Sequence, residues 1–137
     1  MAGTPQEVVA EAAPGDGVIG WKLDREHRRE LLRQFPPKYE NVVADHVTLK
    51  ASVAPDAALP QPSDGAIVGR ADDGRGVECM VVAIGGTTER AGGGTYHITW
   101  SLGPGRRAKE SNDVLAAGTW DALDPPVTIA LTPARLR

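Results

Sequence analysis

Asp45-His46-Val47-Thr48-Leu49-Lys50 and Tyr96-His97-Ile98-Thr99-Trp100-Ser101 carry one pattern twice, about fifty residues apart. Each run is short, alternating and rich in β-branched residues, which predicts a strand with one buried face. Side chains alternate faces along a strand, so His46, Thr48 and Lys50 share one side while Val43, Val47 and Leu49 share the other. The same rule groups His97, Thr99 and Ser101 and turns Tyr96, Ile98 and Trp100 the opposite way, with Trp100 directed to the core. Placed side by side, two such strands present two proton carriers flanked by two hydroxyls.

Outward from these strands the chain reads as a series of short elements. Gly17 to Leu23 predicts a first strand, and Asp24 is placed to cap a helix over Arg25 to Phe35, with Leu31, Leu32 and Phe35 as its apolar stripe and Pro36-Pro37 as its stop. A loop through Tyr39 leads to the His46 strand. A Pro-rich connector spans Ala54 to Ser63, and strands at Ala66–Ala71 and Val77–Ile84 flank a turn at Asp72 to Gly76. Gly85 to Gly94 is too rich in glycine to hold a helix and predicts a mobile loop bordering the paired strands. It lacks the Gly-Lys-Ser/Thr ending of a phosphate loop. After the turn at Gly103-Pro104-Gly105 come Arg106, Arg107 and Lys109, a short helix capped by Ser111 or Asn112, and a last strand from Val127 to Leu131.

Composition narrows the class. The 137 residues suit one domain over 17–137, preceded by a flexible leader over 1–16 that has no secretory pattern. A net charge of −3 argues against a broad surface for duplex DNA or RNA, whereas a strand end or a small nucleotide needs only a local basic cluster such as Arg106, Arg107 and Lys109. The single cysteine, Cys79, excludes an internal disulfide and a multi-cysteine zinc site, so a reducing cytoplasm is the expected setting. No apolar stretch reaches the length of a membrane helix. His27, among the charges of Asp24 to Glu30, reads as a solvated helix residue.

Two imidazoles near neutral pH supply both a proton acceptor and a proton donor, and neighbouring hydroxyls supply hydrogen bonds to the non-bridging oxygens of a phosphate. That set suits phosphodiester cleavage without a metal or other cofactor. His46 and His97 are the expected catalytic pair and Thr48 and Thr99 the phosphate-binding pair. Lys50, Ser101, Tyr39 and Lys109 are further candidates for holding substrate.

The two His-x-Thr strands resemble those of the 2H phosphoesterases. Gly20 to Leu23, Phe35 to Tyr39 and Ala108 to Leu115 extend the likeness to the cyclic phosphodiesterase domain of fungal tRNA ligases and to related bacterial RNA-repair-like proteins, over roughly residues 17–132. The resemblance implies an α+β, bilobed fold in which two antiparallel sheets line a central cleft, each giving one His-x-Thr strand. It also implies opening of a 2′,3′-cyclic phosphate on an RNA end or nucleotide. The chain departs from that pattern in its short length, its Pro-rich connector and the missing helix before the second motif. A module that binds nucleotide ends without turnover is the alternative.

Overall fold

Asp24 closes the first strand and opens the first helix: its carboxylate accepts the backbone N–H of His27 at 2.9 Å, filling an orphan donor of the first turn. The computed structural model describes residues 17–136 apart from 55 and 119. The leader expected over 1–16 lies outside the described residues. In chain order the elements are β1 (Gly17–Leu23), α1 (Arg25–Gln34), β2 (Asn41–Val42), β3 (His46–Val53), β4 (Ser63–Asp72), β5 (Val77–Ile84), β6 (His97–Leu102), α2 (Glu110–Ala117) and β7 (Asp121–Arg135).

The fold is α+β and mostly sheet. Where the resemblance implies two sheets, the described strands share a single antiparallel order, β2-β6-β5-β4-β7-β1-β3. The outermost strands of that order, β2 and β3, are successive stretches of one run of chain. β2 pairs with β6 through Asn41 and Val42, opposite Leu102 and Ser101. Val43 and Ala44 continue by donating to the carbonyls of Trp100 and Thr99, both at 2.9 Å. Asp45 then accepts from the Leu23 N–H at 3.0 Å, and β3 runs along β1. The sheet therefore curls until one segment bridges its two ends. Ala44 makes the corner with a φ of 43°, a left-handed conformation that costs a non-glycine residue energy. α1 holds that corner, because Arg28 donates to the Ala44 carbonyl at 2.7 Å and to the Val43 carbonyl at 3.1 Å.

Inside the curl, Trp21, Leu23, Val47, Ile67, Met80, Ile98, Trp100 and Ile129 form the main core with Leu31 of α1. Trp100 is fully buried and its indole N–H donates to the Phe35 carbonyl at 2.9 Å. A smaller cluster on β4 and β5, Ala71, Cys79 and Val81, is capped by Leu115 of α2. The faces of β3 and β6 that carry the histidines lie opposite this main core, as alternation requires.

Two elements differ from the sequence expectation. β7 runs from Asp121 to Arg135 and so starts before Pro125-Pro126, which lack N–H donors. Its pairing with β4 steps from Ile67↔Val127 to Gly69↔Ala122, so both prolines fall in the bulge and no ladder bond is lost to them. α2 begins at Glu110 rather than behind a Ser111 or Asn112 cap. Ser111 is buried within the first turn, and Glu110 instead accepts the Arg107 N–H at 2.6 Å.

Candidate functional site

The register that closes the sheet also sets the two histidines together. Val43 and Ala44 bond to Trp100 and Thr99 of β6, and Asp45 already bonds to Leu23 of β1, so β3 starts at His46 close to the strand that carries His97. Both imidazoles line one cavity of about 410 Å³, together with Thr48 and Thr99. The repeated pattern thus converges on one space.

The two rings are held differently. His46 is buried, with 8% exposure, and its Nδ1 lies 3.0 Å from Oδ2 of Asp45. Asp45 also receives Lys22 Nζ at 2.6 Å and Arg25 Nη1 at 3.0 Å. Burial pushes the Asp45 carboxyl up, but the hydrogen bonds and charges of His46 and Lys22 outweigh it and hold the group well below the usual carboxylate range. An ionised carboxylate only accepts, so Nδ1 of His46 carries the hydrogen. His97 places Nδ1 at 2.8 Å from the Thr95 carbonyl, which likewise only accepts. Burial drives the His97 ring down to about 4; the Thr95 carbonyl opposes this, and the charges of Arg90 and His46 reinforce it. At neutral pH His97 is an uncharged imidazole whose Nε2 offers a lone pair. Neither Nε2 has a partner among the described residues.

The hydroxyls are not equivalent. Thr48 is half-buried and its side chain is unpartnered among the described residues. Thr99 is buried, donating to the Ala108 carbonyl at 3.3 Å and lying 2.9 Å from the Ser111 hydroxyl. Lys50 and Lys109 line the cavity and are exposed, and their ammonium groups form no ion pair among the described residues. A bulge helps to shape the β3 wall: Gly20 pairs with Thr48 and Ile19 with Lys50, so Leu49 is skipped and joins its neighbours on the cavity wall.

Other candidates lie elsewhere. Ser101 shares the face of His97 and Thr99, but there it is fully buried beneath the Tyr39 loop and donates to Oε1 of Glu78 at 2.6 Å. It accepts the Tyr39 N–H at 3.1 Å, while the Tyr39 phenol donates to Asp72 at 2.6 Å. Neither borders the cavity. Glu78 is an internal anchor: Arg70 Nε reaches it at 2.7 Å and the Lys38 N–H at 2.9 Å. Arg106 is committed to Asp73 at 2.9 Å and Glu110 at 3.1 Å, so Lys109 is the one member of the Arg106, Arg107 and Lys109 cluster that lines the cavity.

One lining residue, Arg90, was not among the sequence candidates. The glycine-rich segment expected as a mobile loop folds as a hydrogen-bonded hairpin: Tyr96 donates to the Thr88 carbonyl at 2.8 Å and Arg90 to the Gly94 carbonyl at 2.9 Å. Gly92, Gly93 and Gly94 all take positive φ there. A cation enclosed by glycines that turn back on it was the available signal. Among the described residues the lining therefore holds three cations, Lys50, Arg90 and Lys109, and no carboxylate. Its local charge is opposite to the chain's net charge of −3.

Compared with protein-family models, curated proteins and solved structures, the chain has no match. Among the described residues, no helix is long and apolar enough to cross a membrane, and no three His, Cys, Asp or Glu side chains are grouped to hold a metal ion.

Proposed function

We propose that this cavity binds a phosphodiester and that the protein is a metal-independent, 2H-like cyclic phosphodiesterase, opening a 2′,3′-cyclic phosphate on an RNA end or a nucleotide. The observation that carries the reading is the pairing of two imidazoles, each with Nδ1 held and, among the described residues, Nε2 unpartnered, in a space that those residues line with three cations and no carboxylate. Unequal surroundings divide the roles. His97, uncharged at neutral pH, takes a proton from water as that water attacks phosphorus. His46 enters the step protonated on both ring nitrogens, Nδ1–H held by the Asp45 carboxylate, and gives its Nε2 proton to the ribose oxygen as that oxygen's bond to phosphorus breaks. The proton count balances: one enters at His97, one leaves from His46, and solvent exchange resets the pair.

Thr48 supports this reading as a hydroxyl donor to a non-bridging oxygen, and Lys50 and Lys109 as cations for the charge that builds there. In the bilobed version of the proposal, the β1–β3 and β5–β6 regions of the curled sheet act as the two walls, each giving one histidine. A cytoplasmic setting belongs to the same proposal, supported by the lone, buried Cys79. Engagement of the Thr99 hydroxyl by the Ala108 carbonyl favours a second reading, a binding module that holds the phosphate without turnover.

A panel of nucleoside 2′,3′-cyclic phosphates and cyclic-phosphate-ended oligonucleotides, assayed in excess chelator, tests the proposal. Ring opening of at least one substrate with chelator present is expected. Binding with no opening of any of them would establish the second reading in its place.

A further inference from the structure

We infer that Arg90 is a phosphate-anchoring residue, its guanidinium fork gripping the non-bridging oxygens of the phosphoryl group that lies between His46 and His97. The inference rests on the reading of the cavity as a phosphate site and deepens it by naming the group that fixes the anion.

Arg90 is half-buried on the cavity wall, and its partners are neutral oxygens: Nε donates to the Gly93 carbonyl at 3.1 Å and Nη2 to Oδ1 of Asn112 at 3.3 Å. No carboxylate pairs with it among the described residues. A guanidinium has five N–H donors, so these two bonds orient the plane and leave three donors, including both on Nη1, for another acceptor. The hairpin is shaped around this side chain. Gly94 has a φ of 92°, which favours glycine, and a Cβ there would stand 2.7 Å from Nη2 and displace the guanidinium from its seat. A fixed, half-buried cation with unused donors beside two hydroxyl-flanked imidazoles suits a planar, multi-oxygen anion better than a neutral ligand. Lys50 and Lys109, on flexible stems at the exposed rim, supply charge without that geometry.

The anchor also acts on the base. Arg90 and His46 are the charged groups that bear on the His97 ring, and Lys50 and Lys109 are the other cations of the cavity. An oxyanion on Arg90 offsets its charge and so raises the proton affinity of His97 when the site fills.

The test is a titration of the full chain with inorganic phosphate, followed through the ring signals of His46 and His97 by NMR, in wild type, Arg90→Lys, Arg90→Gln and Gly94→Ala. Amide spectra confirm that each variant is folded. Expected are saturable shifts in wild type with the His97 titration moved to higher pH, affinity weaker by about 10- to 100-fold in Arg90→Gln, little recovery in Arg90→Lys, and weakening in Gly94→Ala, where the cation remains but its cradle is crowded. Unchanged affinity in Arg90→Gln beside clear wild-type binding overturns the anchor and leaves the phosphate site standing. Absence of any shift in wild type overturns both.

Discussion

His97 is the residue in which burial and charge act together most plainly. Its ring is held near pKa 4 in the folded chain, against about 6.5 for an unperturbed imidazole. Between those values the unfolded chain takes up a proton that the folded chain refuses, so stability falls as pH drops from about 6.5 to about 4 and levels off below. Replacing His97 with Gln removes this slope. Urea unfolding at pH 7 and pH 4.5 should show wild type losing on the order of 2 kcal/mol more than the variant across that interval. Parallel losses would mean that the ring is not desolvated. Asp45 works in the same direction but in a lower window: its depressed carboxyl contributes stability above the ordinary carboxylate pKa of about 3.9 and loses it only below that, outside the His97 window. In kcat/KM, which reports the free enzyme, an acidic limb that falls only as pH nears 4 is expected, since the base is unprotonated above that value.

The elements are shaped by two bulges on β3. Pairing with β1 skips Leu49 and then Ser52, and Ser52 takes a φ of 58° at an exposed position. Ser52→Gly relieves that strain and should gain about 0.5 to 1 kcal/mol, seen as a rise of a few degrees in Tm. Gly20 is the opposite case, because a Cβ there would overlap the Val47 carbonyl oxygen. Gly20→Ala is expected to destabilise by roughly 3 kcal/mol and to force β3 away from β1; a loss below about 0.5 kcal/mol would show that the strands part without cost.

Alternation within a strand is local, which is why the placement of His46 with Thr48, and of His97 with Thr99, was legible in the sequence, as were α1 with its Asp24 cap and the buried Trp100. Ser101 obeys the same alternation but is lost to the site, since Glu78 and the Tyr39 loop cover the far end of β6, and that contact joins residues distant along the chain. Arg90 was not legible because the segment around it, Gly85 to Gly94, is half glycine, whose turns carry no periodicity. The early start of β7 was hidden by Pro125-Pro126, which mark a strand end unless a partner strand supplies the bulge.

At the scale of the whole molecule, one bent segment does two jobs. The run from Asn41 to Val53 joins both ends of the sheet and, at the Ala44 corner held by Arg28, delivers His46 beside the β6 strand that carries His97. Closing the fold and assembling the cavity are the same event, so Arg28→Met, which leaves the Ala44 and Val43 carbonyls without their side-chain donor, should weaken stability by about 1 to 3 kcal/mol and disturb both ring signals together. A change confined to α1 would contradict that coupling. The central claim is that the two imidazoles act as one acid–base unit on one phosphorus. It is met most directly by comparing kcat on a 2′,3′-cyclic phosphate for wild type, His46→Ala, His97→Ala and the double variant. The account predicts losses of about 10²- to 10⁴-fold in each single variant and a double variant no worse than the weaker single. Singles that retain wild-type turnover, or losses that simply multiply in the double variant, would contradict it.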